Sequence, residues 1–166
     1  MTSLPSDAEL SRLFVLGAEA ADIAAQYDVT PQAVYWRWNN MGLHRLPIAR
    51  EVNQLIAGVW QVQSSAGAGS HWHSFPCQSL RYYLRLRMGD TLSERQAMEA
   101  LRFERRLIRE GAVLAYSKEE GFTYVPRTPE DGDLLIKWPD ALDRPGEEEA
   151  GIWSLPDKPT LAPSMN

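Results

Sequence analysis

The sequence is poor in the residues that hold disulfides and metal ions, with one cysteine, Cys77, and three histidines among 166 residues. A single cysteine excludes any disulfide within the chain, so we expect a reducing, cytoplasmic compartment. No apolar run approaches the roughly 18 residues that a membrane-spanning helix needs. The N-terminus "MTSLPSDAEL" is polar and acidic, without the basic region of a signal peptide. We therefore expect no membrane partner.

Signatures of catalysis are also missing. The sequence has no phosphate-binding glycine loop, no HExxH and no nucleophile elbow, so we expect neither an enzyme nor a cofactor. The stretch "HWHSFPC" offers His71, His73 and Cys77, but a closed structural zinc site needs four ligands, and the third histidine, His44, lies far away in sequence. A metal-dependent nuclease is therefore the least favoured hypothesis, and these polar and aromatic residues are expected to pack or to contact DNA.

The formal net charge of −5 conceals an uneven distribution along the chain. Residues 1–29 carry −4, residues 30–109 carry +6 and residues 110–166 carry −7. Screening confines electric fields to about 8–10 Å at physiological salt, so a partner senses local charge rather than the total. A basic middle between acidic ends is compatible with a polyanionic partner, for which double-stranded DNA is our candidate.

Helical periodicity dominates, and with 44% hydrophobic residues a packed core is expected. The predicted fold is mainly α with a small β-hairpin (α+β), the hairpin lying in "AVLAYSKEEGFTYVPR". "DGDLLIKWPD" is a candidate for one further short strand, and the small, Gly-rich stretch "QVQSSAGAGS" is the best linker. The predicted organisation is an N-terminal helix-turn-helix domain at 1–46, a connecting helix and linker at 47–70, a C-terminal DNA-binding domain at 71–142, and a weakly ordered acidic, Pro-rich tail at 143–166.

The stretch "ADIAAQYDVTPQAVYWRWNN" predicts a helix, a tight turn and a second helix. Thr30 is a good N-cap and Pro31 suits the first helical position. Asp28 stands where this turn often has Gly, and Asp tolerates the left-handed conformation better than most residues. In such a motif the N-terminal end of the second helix enters the major groove. The candidate DNA contacts are Thr30, Pro31, Gln32, Tyr35, Trp36, Arg37 and Arg45.

Within this motif Gln32 can pair bidentately with adenine, and Arg37 and Arg45 suit phosphates or guanine. The alternative is an Ala-rich helical hairpin that binds nothing. Trp36 and Trp38 are less specific signals, because we expect at least one of them to pack in the core.

A second basic unit follows the linker. Its helix "QSLRYYLRLRM" places Arg81 and Arg85 together, with Tyr82 adjacent. On the next helix Arg95, Arg102, Arg106 and Arg109 share a sector of about 60°, which could grip phosphates or form a solvated face paired with Glu99. The candidate DNA contacts of this unit are His71, His73, Ser74, Gln78, Ser79, Arg81, Tyr82 and Arg85.

One small DNA-binding module buries roughly 600–1,000 Å², whereas specific complexes usually bury about 1,000–2,500 Å². No heptad seam for a dimer is evident, so a second DNA-binding unit on the same chain is the favoured solution. We therefore expect a monomer with no obligate protein partner.

The order of "IAAQYDVTPQAV", further helices, "FTYVPR" and then "DGDLLIKWPD" resembles the immunity repressors of temperate mycobacteriophages over roughly residues 10–142. The resemblance implies a transcriptional repressor in the bacterial host cytoplasm that maintains lysogeny and superinfection immunity. It also implies binding, as a monomer, to asymmetric operators and related stoperator sites through two DNA-binding domains.

A second hypothesis keeps the helix-turn-helix but changes the role of the C-terminal unit. The protein would then be a DNA-targeting adaptor of a recombination or packaging enzyme complex, and its C-terminal unit would bind a protein partner.

Overall fold

A computed structural model describes residues 3–44, 47–64 and 70–161. Its helices and one antiparallel hairpin confirm the predicted class, mainly α with a small β-hairpin. No helix in the described ranges is long and apolar enough to cross a membrane. The elements are α1 (Asp7–Val15), α2 (Ala20–Tyr27), α3 (Pro31–Asn40), α4 (Ile48–Ala57), α5 (Phe75–Arg87), α6 (Glu94–Glu110), β1 (Ala112–Ser117), β2 (Gly121–Pro126) and α7 (Glu147–Trp153).

The structure consists of two units, each with its own hydrophobic core. The first unit, residues 3–44, packs α1, α2 and α3 around Leu10, Val34 and Trp38. The second unit, residues 47–64 and 70–161, packs α4 to α7 and the hairpin around residues such as Leu84 and Trp153. The predicted connecting helix α4 therefore contributes to the second core. The exact domain boundaries stay a prediction.

Local sequence explains how several elements begin and end. Ser93 and Gln96 form a capping box at the start of α6, and Gly111 ends that helix in the left-handed conformation at φ 56°. The hairpin pairs Ala112 with Pro126 and Ser117 with Gly121. The stretch at 131–140 adds only isolated bridges, Leu114 with Ile136 and Leu134 with Ser154, in place of the candidate strand.

Part of the predicted weakly ordered tail, residues 143–166, is folded, which corrects that prediction for residues 147–153. These residues form α7, in which Ile152 and Trp153 are fully buried. The Trp153 ring lies 6.5 Å from the Trp60 ring and 6.2 Å from the Trp138 ring, measured between centroids. The reason is burial: the free energy gained by removing these two large side chains from water outweighs the weak local preference of an acidic, Pro-rich segment.

Candidate nucleic-acid interface

The turn between α2 and α3 has the conformation that the sequence predicts. Asp28 adopts the left-handed conformation expected for it, with φ 53° and ψ 49°. The backbone N–H of Val29 donates to the carbonyl of Ala24 at 3.0 Å, which closes the end of α2. The hydroxyl of Thr30 accepts from the N–H of Ala33 at 3.2 Å, so Thr30 is the N-cap of α3 as predicted.

The two helices cross over a small core that fixes the direction of α3. Ala24, Ile23 and Val34 are buried where the helices meet. Trp38 is also buried, donates its indole N–H to the carbonyl of Leu10 at 3.3 Å, and meets the Phe14 ring edge-on at 5.1 Å. The expectation that Trp36 or Trp38 packs in the core is confirmed by Trp38.

The side of α3 that faces away from this core lies against α7. Arg37 forms a two-point ion pair with Glu148: its Nε donates to Oε2 at 3.2 Å and its Nη2 donates to Oε1. Its Nη1 donates to Asp7 Oδ1 at 2.8 Å. The hydrogen bond to Glu148, with a smaller contribution from Asp7, raises the pKa of Arg37. This guanidinium is therefore fully charged and held by two carboxylates.

Other candidate residues of α3 also point toward the second unit. The Thr30 hydroxyl lies 3.4 Å from Glu149 Oε2, and burial raises the pKa of that carboxyl. Trp36 packs against the second core. A Cβ on Gly151 would lie 3.0 Å from the Nε1 of Trp36. A Cβ on Gly58 would lie 2.9 Å from the side-chain amide nitrogen of Gln32.

Two further candidates belong to the first unit, and one lies outside the described residues. Tyr35 packs edge-on against Trp38 at 6.0 Å between ring centroids. Pro31 is half-buried at the first position of α3. Arg45 falls outside the described residues. An open cavity of about 360 Å³ remains between the start of α3 and α7, lined in part by Asp28, Thr30 and Glu147–Glu149.

Candidate contacts at the entry to the second unit make local hydrogen bonds. The Nδ1 of His71 lies 3.0 Å from the Tyr116 hydroxyl, and the two rings meet edge-on. Ser74 donates its hydroxyl to the His71 carbonyl at 2.7 Å, while Gln78 donates its amide to the His73 carbonyl at 3.2 Å. In the described ranges no cluster of three or more His, Cys, Asp or Glu residues could hold a metal ion.

The cationic candidates of α5 are held by intramolecular partners as well. Arg81 donates to the Trp72 carbonyl at 2.9 Å, and its guanidinium lies 4.7 Å from the centre of the Trp72 ring. Arg85 pairs with Asp90 at 2.7 Å. Tyr82 packs against the second core. Their role in DNA binding stays a prediction.

The outer face of α6 presents more accessible positive charge than α5. We define the basic face of α6 as Arg95, Arg102, Arg105, Arg106 and Arg109, all of which are exposed. Arg95 pairs with Glu99 at 3.3 Å, as predicted for a solvated face, and Arg106 pairs with Glu110 at 3.1 Å. Beside this face, Phe75 at the start of α5 is 77% exposed and shares a shallow cavity with Ser79, Arg102, Arg106 and Tyr124.

Sequence similarity to a known protein shows the family of this chain. No protein-family model matches the chain. A protein described as "Repressor-like immunity protein", from Mycobacterium phage L5, is 31% identical over 161 residues, which is 90% of this chain and 83% of that protein. The chain belongs to the phage immunity repressors. The family resemblance inferred from the sequence motifs is thereby confirmed.

Two features of this immunity repressor were missed by sequence reasoning. The acids of α7 were expected in solvent, although the adjacent pair Ile152–Trp153 is an apolar signal that could have indicated a docked segment. Phe75 and Arg105 were not among the candidates. Nothing in the periodicity of α5 marks Phe75 as exposed, because it stands alone at the helix start before Pro76.

Proposed function

We propose that this chain is a sequence-specific DNA-binding transcriptional repressor. The observation that carries the proposal is the α2–turn–α3 unit, with Asp28 left-handed and Thr30 capping α3. This geometry suits insertion of the start of a helix into the major groove. The family relationship to a repressor-like immunity protein supports the same conclusion.

Reading of base pairs is assigned to the start of α3. Gln32 can pair bidentately with adenine, and Arg37 supplies the charge for a phosphate or guanine. The positive end of the helix dipole at the N-terminus of α3 also favours a phosphate. Repression then follows from occupancy, because a protein bound at a promoter blocks polymerase without any catalytic step.

A second DNA contact comes from the basic face of α6. Arg102 and Arg105 are exposed there, and Arg106 lies over the Tyr124 ring at 3.7 Å from its centre. Exposed Phe75 adds an apolar group able to contact a thymine methyl or to wedge between bases. Because one small module buries too little surface for a specific complex, both units would contribute to one asymmetric site.

In this proposal the protein acts as a monomer on operator DNA in the cytoplasm of the bacterial host. Occupancy of operators would keep the lytic genes of the phage silent and so maintain lysogeny. The same repressor would act on an incoming related phage, which is superinfection immunity. The description of the L5 relative as a repressor-like immunity protein supports this physiological role.

Selection of bound duplexes from a random pool tests the proposal directly. We expect one long asymmetric sequence, bound as a 1:1 complex. A palindrome bound by two chains would contradict the monomer, and equal affinity for all duplexes would contradict sequence-specific repression.

Salt titration then tests the second surface on the full chain. We expect the R102A/R105A variant to reduce the slope of log K against log salt by about 0.9 for each phosphate that is no longer neutralised. The K118A/K158A variant removes the same charge elsewhere and is the control. Equal slopes for the two variants would exclude the basic face of α6 as a DNA contact.

A further inference from the structure

The side of α3 that would enter DNA is covered in this structure. Val34 and Trp38 point into the first core, so the opposite side of the helix is the one available to a groove. Trp36 on that side, together with Thr30 and Arg37 at its margin, contacts residues of α7. The Arg37 side chain is only 23% exposed, and a duplex cannot reach it while α7 is in place.

The contact uses the chemistry by which proteins bind phosphate. Arg37 holds Glu148 through two parallel N–H···O bonds, the arrangement that guanidinium groups also form with phosphate oxygens. Glu149 lies at the N-cap of α3, where the helix dipole favours an anion. The acidic start of α7 therefore occupies positions that would suit two phosphates of a bound duplex.

Helix α7 is held by the second unit, so it cannot move away from α3 independently of that unit. Its end, Ile152 and Trp153, is buried in the second core. The carbonyl of Trp153 accepts from the N–H of Leu135 at 2.7 Å, and that of Gly151 accepts from Arg87 at 3.1 Å. Freeing the DNA-facing side of α3 therefore requires the first unit to move away from the second unit.

We propose that the structure is a closed, autoinhibited state in which the acidic start of α7 imitates the DNA backbone on α3. The proposal rests on the proposed function, since it requires α3 to bind DNA. A duplex then competes with Glu148 for Arg37, and the two units separate when DNA binds. Only a duplex that makes enough further contacts overcomes this competition, so the closed state lowers the affinity for DNA of any sequence.

A pair of charge-matched variants in the full chain tests the competition. Glu148→Gln weakens the pairing with Arg37 while keeping the side-chain shape. Glu147→Gln removes the same charge one residue earlier, at an exposed position for which the described contacts include no bond to α3. With the best duplex selected from a random pool, we expect Glu148→Gln to bind roughly fivefold tighter and Glu147→Gln less than about twofold tighter.

The outcomes separate the two proposals. If both variants bind the selected duplex tighter by the same factor, the gain comes from the loss of general charge repulsion with DNA. That result would overturn the closed state. An unchanged or weakened affinity of Glu148→Gln would overturn it as well, while specific binding by the unaltered chain would leave the proposed function standing. If neither the unaltered chain nor Glu148→Gln prefers any duplex, both proposals are overturned.

Amide hydrogen exchange gives a second readout that does not rely on a variant. In the free protein the N–H of Ala150 donates to the carbonyl of Gly146 at 2.8 Å, beside the contact with α3. Adding the selected duplex should accelerate exchange in α7, because its start loses the packing against α3. Unchanged or slower exchange of α7 in the specific complex would overturn the separation of the units.

Discussion

The two units of this repressor are built by different means. The first unit consists of three short helices that follow one another directly in sequence, around a small core with Trp38 at its centre. The second unit brings together α4, near residue 50, and α7, near residue 150, around a larger core that includes Trp60, Trp138 and Trp153. The first unit is thus specified locally, while the second requires contacts between distant segments.

This difference predicts unequal stability. Among the described residues, 8 buried hydrophobic side chains form the first core and 21 form the second. Because stabilisation grows with the apolar area removed from water, the first unit should open at lower denaturant concentration than the second. The first unit, to which DNA reading is assigned in the proposed function, would then be the more easily displaced of the two, which is compatible with the separation proposed above.

The largest expected effect is that of Trp38→Ala. Removing a fully buried tryptophan typically costs about 3–5 kcal/mol, and here it also deletes the indole hydrogen bond to Leu10. We expect the first unit to unfold and specific DNA binding to disappear, while amide exchange in α5 and α6 stays slow. Simultaneous loss of protection in both units would show that they form one cooperative structure.

An intermediate effect is expected in the second unit from Glu104→Ala. This buried carboxylate accepts from the Tyr83 hydroxyl at 2.6 Å and from the N–H and hydroxyl of Thr160 at 2.8 and 2.7 Å. Leaving the Tyr83 hydroxyl buried without an acceptor costs about 1–3 kcal/mol. Denaturant midpoints should fall for the second unit only, and Glu104→Gln, which keeps an acceptor, should lose less.

Gln32→Ala is expected to have an effect of similar size, on the free energy of DNA binding rather than of folding. Loss of a bidentate contact to adenine costs about 1–3 kcal/mol of discrimination at one base pair. Affinities for the selected duplex and its single-base variants measure this cost. Asn40→Ala, at the exposed end of the same helix, is the control and should leave the preference unchanged. A uniform loss for all sequences would assign Gln32 to packing against α4.

The smallest effect concerns Cys77, which reports on the second unit without altering it. The thiol is buried in the second core, and burial raises its pKa to about 11. Hardly any thiolate is present at pH 8, so a thiol reagent should react only after the second unit opens. The labelling rate should be the same in Trp38→Ala as in the unaltered chain. Faster labelling in that variant would reveal coupling between the two cores.

Sequence reasoning was most successful where neighbouring residues decide the structure. The cap at Thr30, the left-handed Asp28 and the hairpin of β1 and β2 all depend on residues close together in the sequence. The family was also recognisable from short motifs. The surroundings of the candidate side chains could not be predicted, because the partners of Arg37, Arg81 and Arg85 depend on the folded structure.

By itself the sequence determined the turn between α2 and α3, the mainly helical class with one hairpin, and a basic middle between acidic ends. Only the tertiary structure decided what the acidic end does. Glu148 is 111 residues from Arg37 along the chain, and no local preference foretells their pairing. The pairing arises because Ile152 and Trp153 are buried in the second core, and that burial carries the preceding glutamates onto the face of α3.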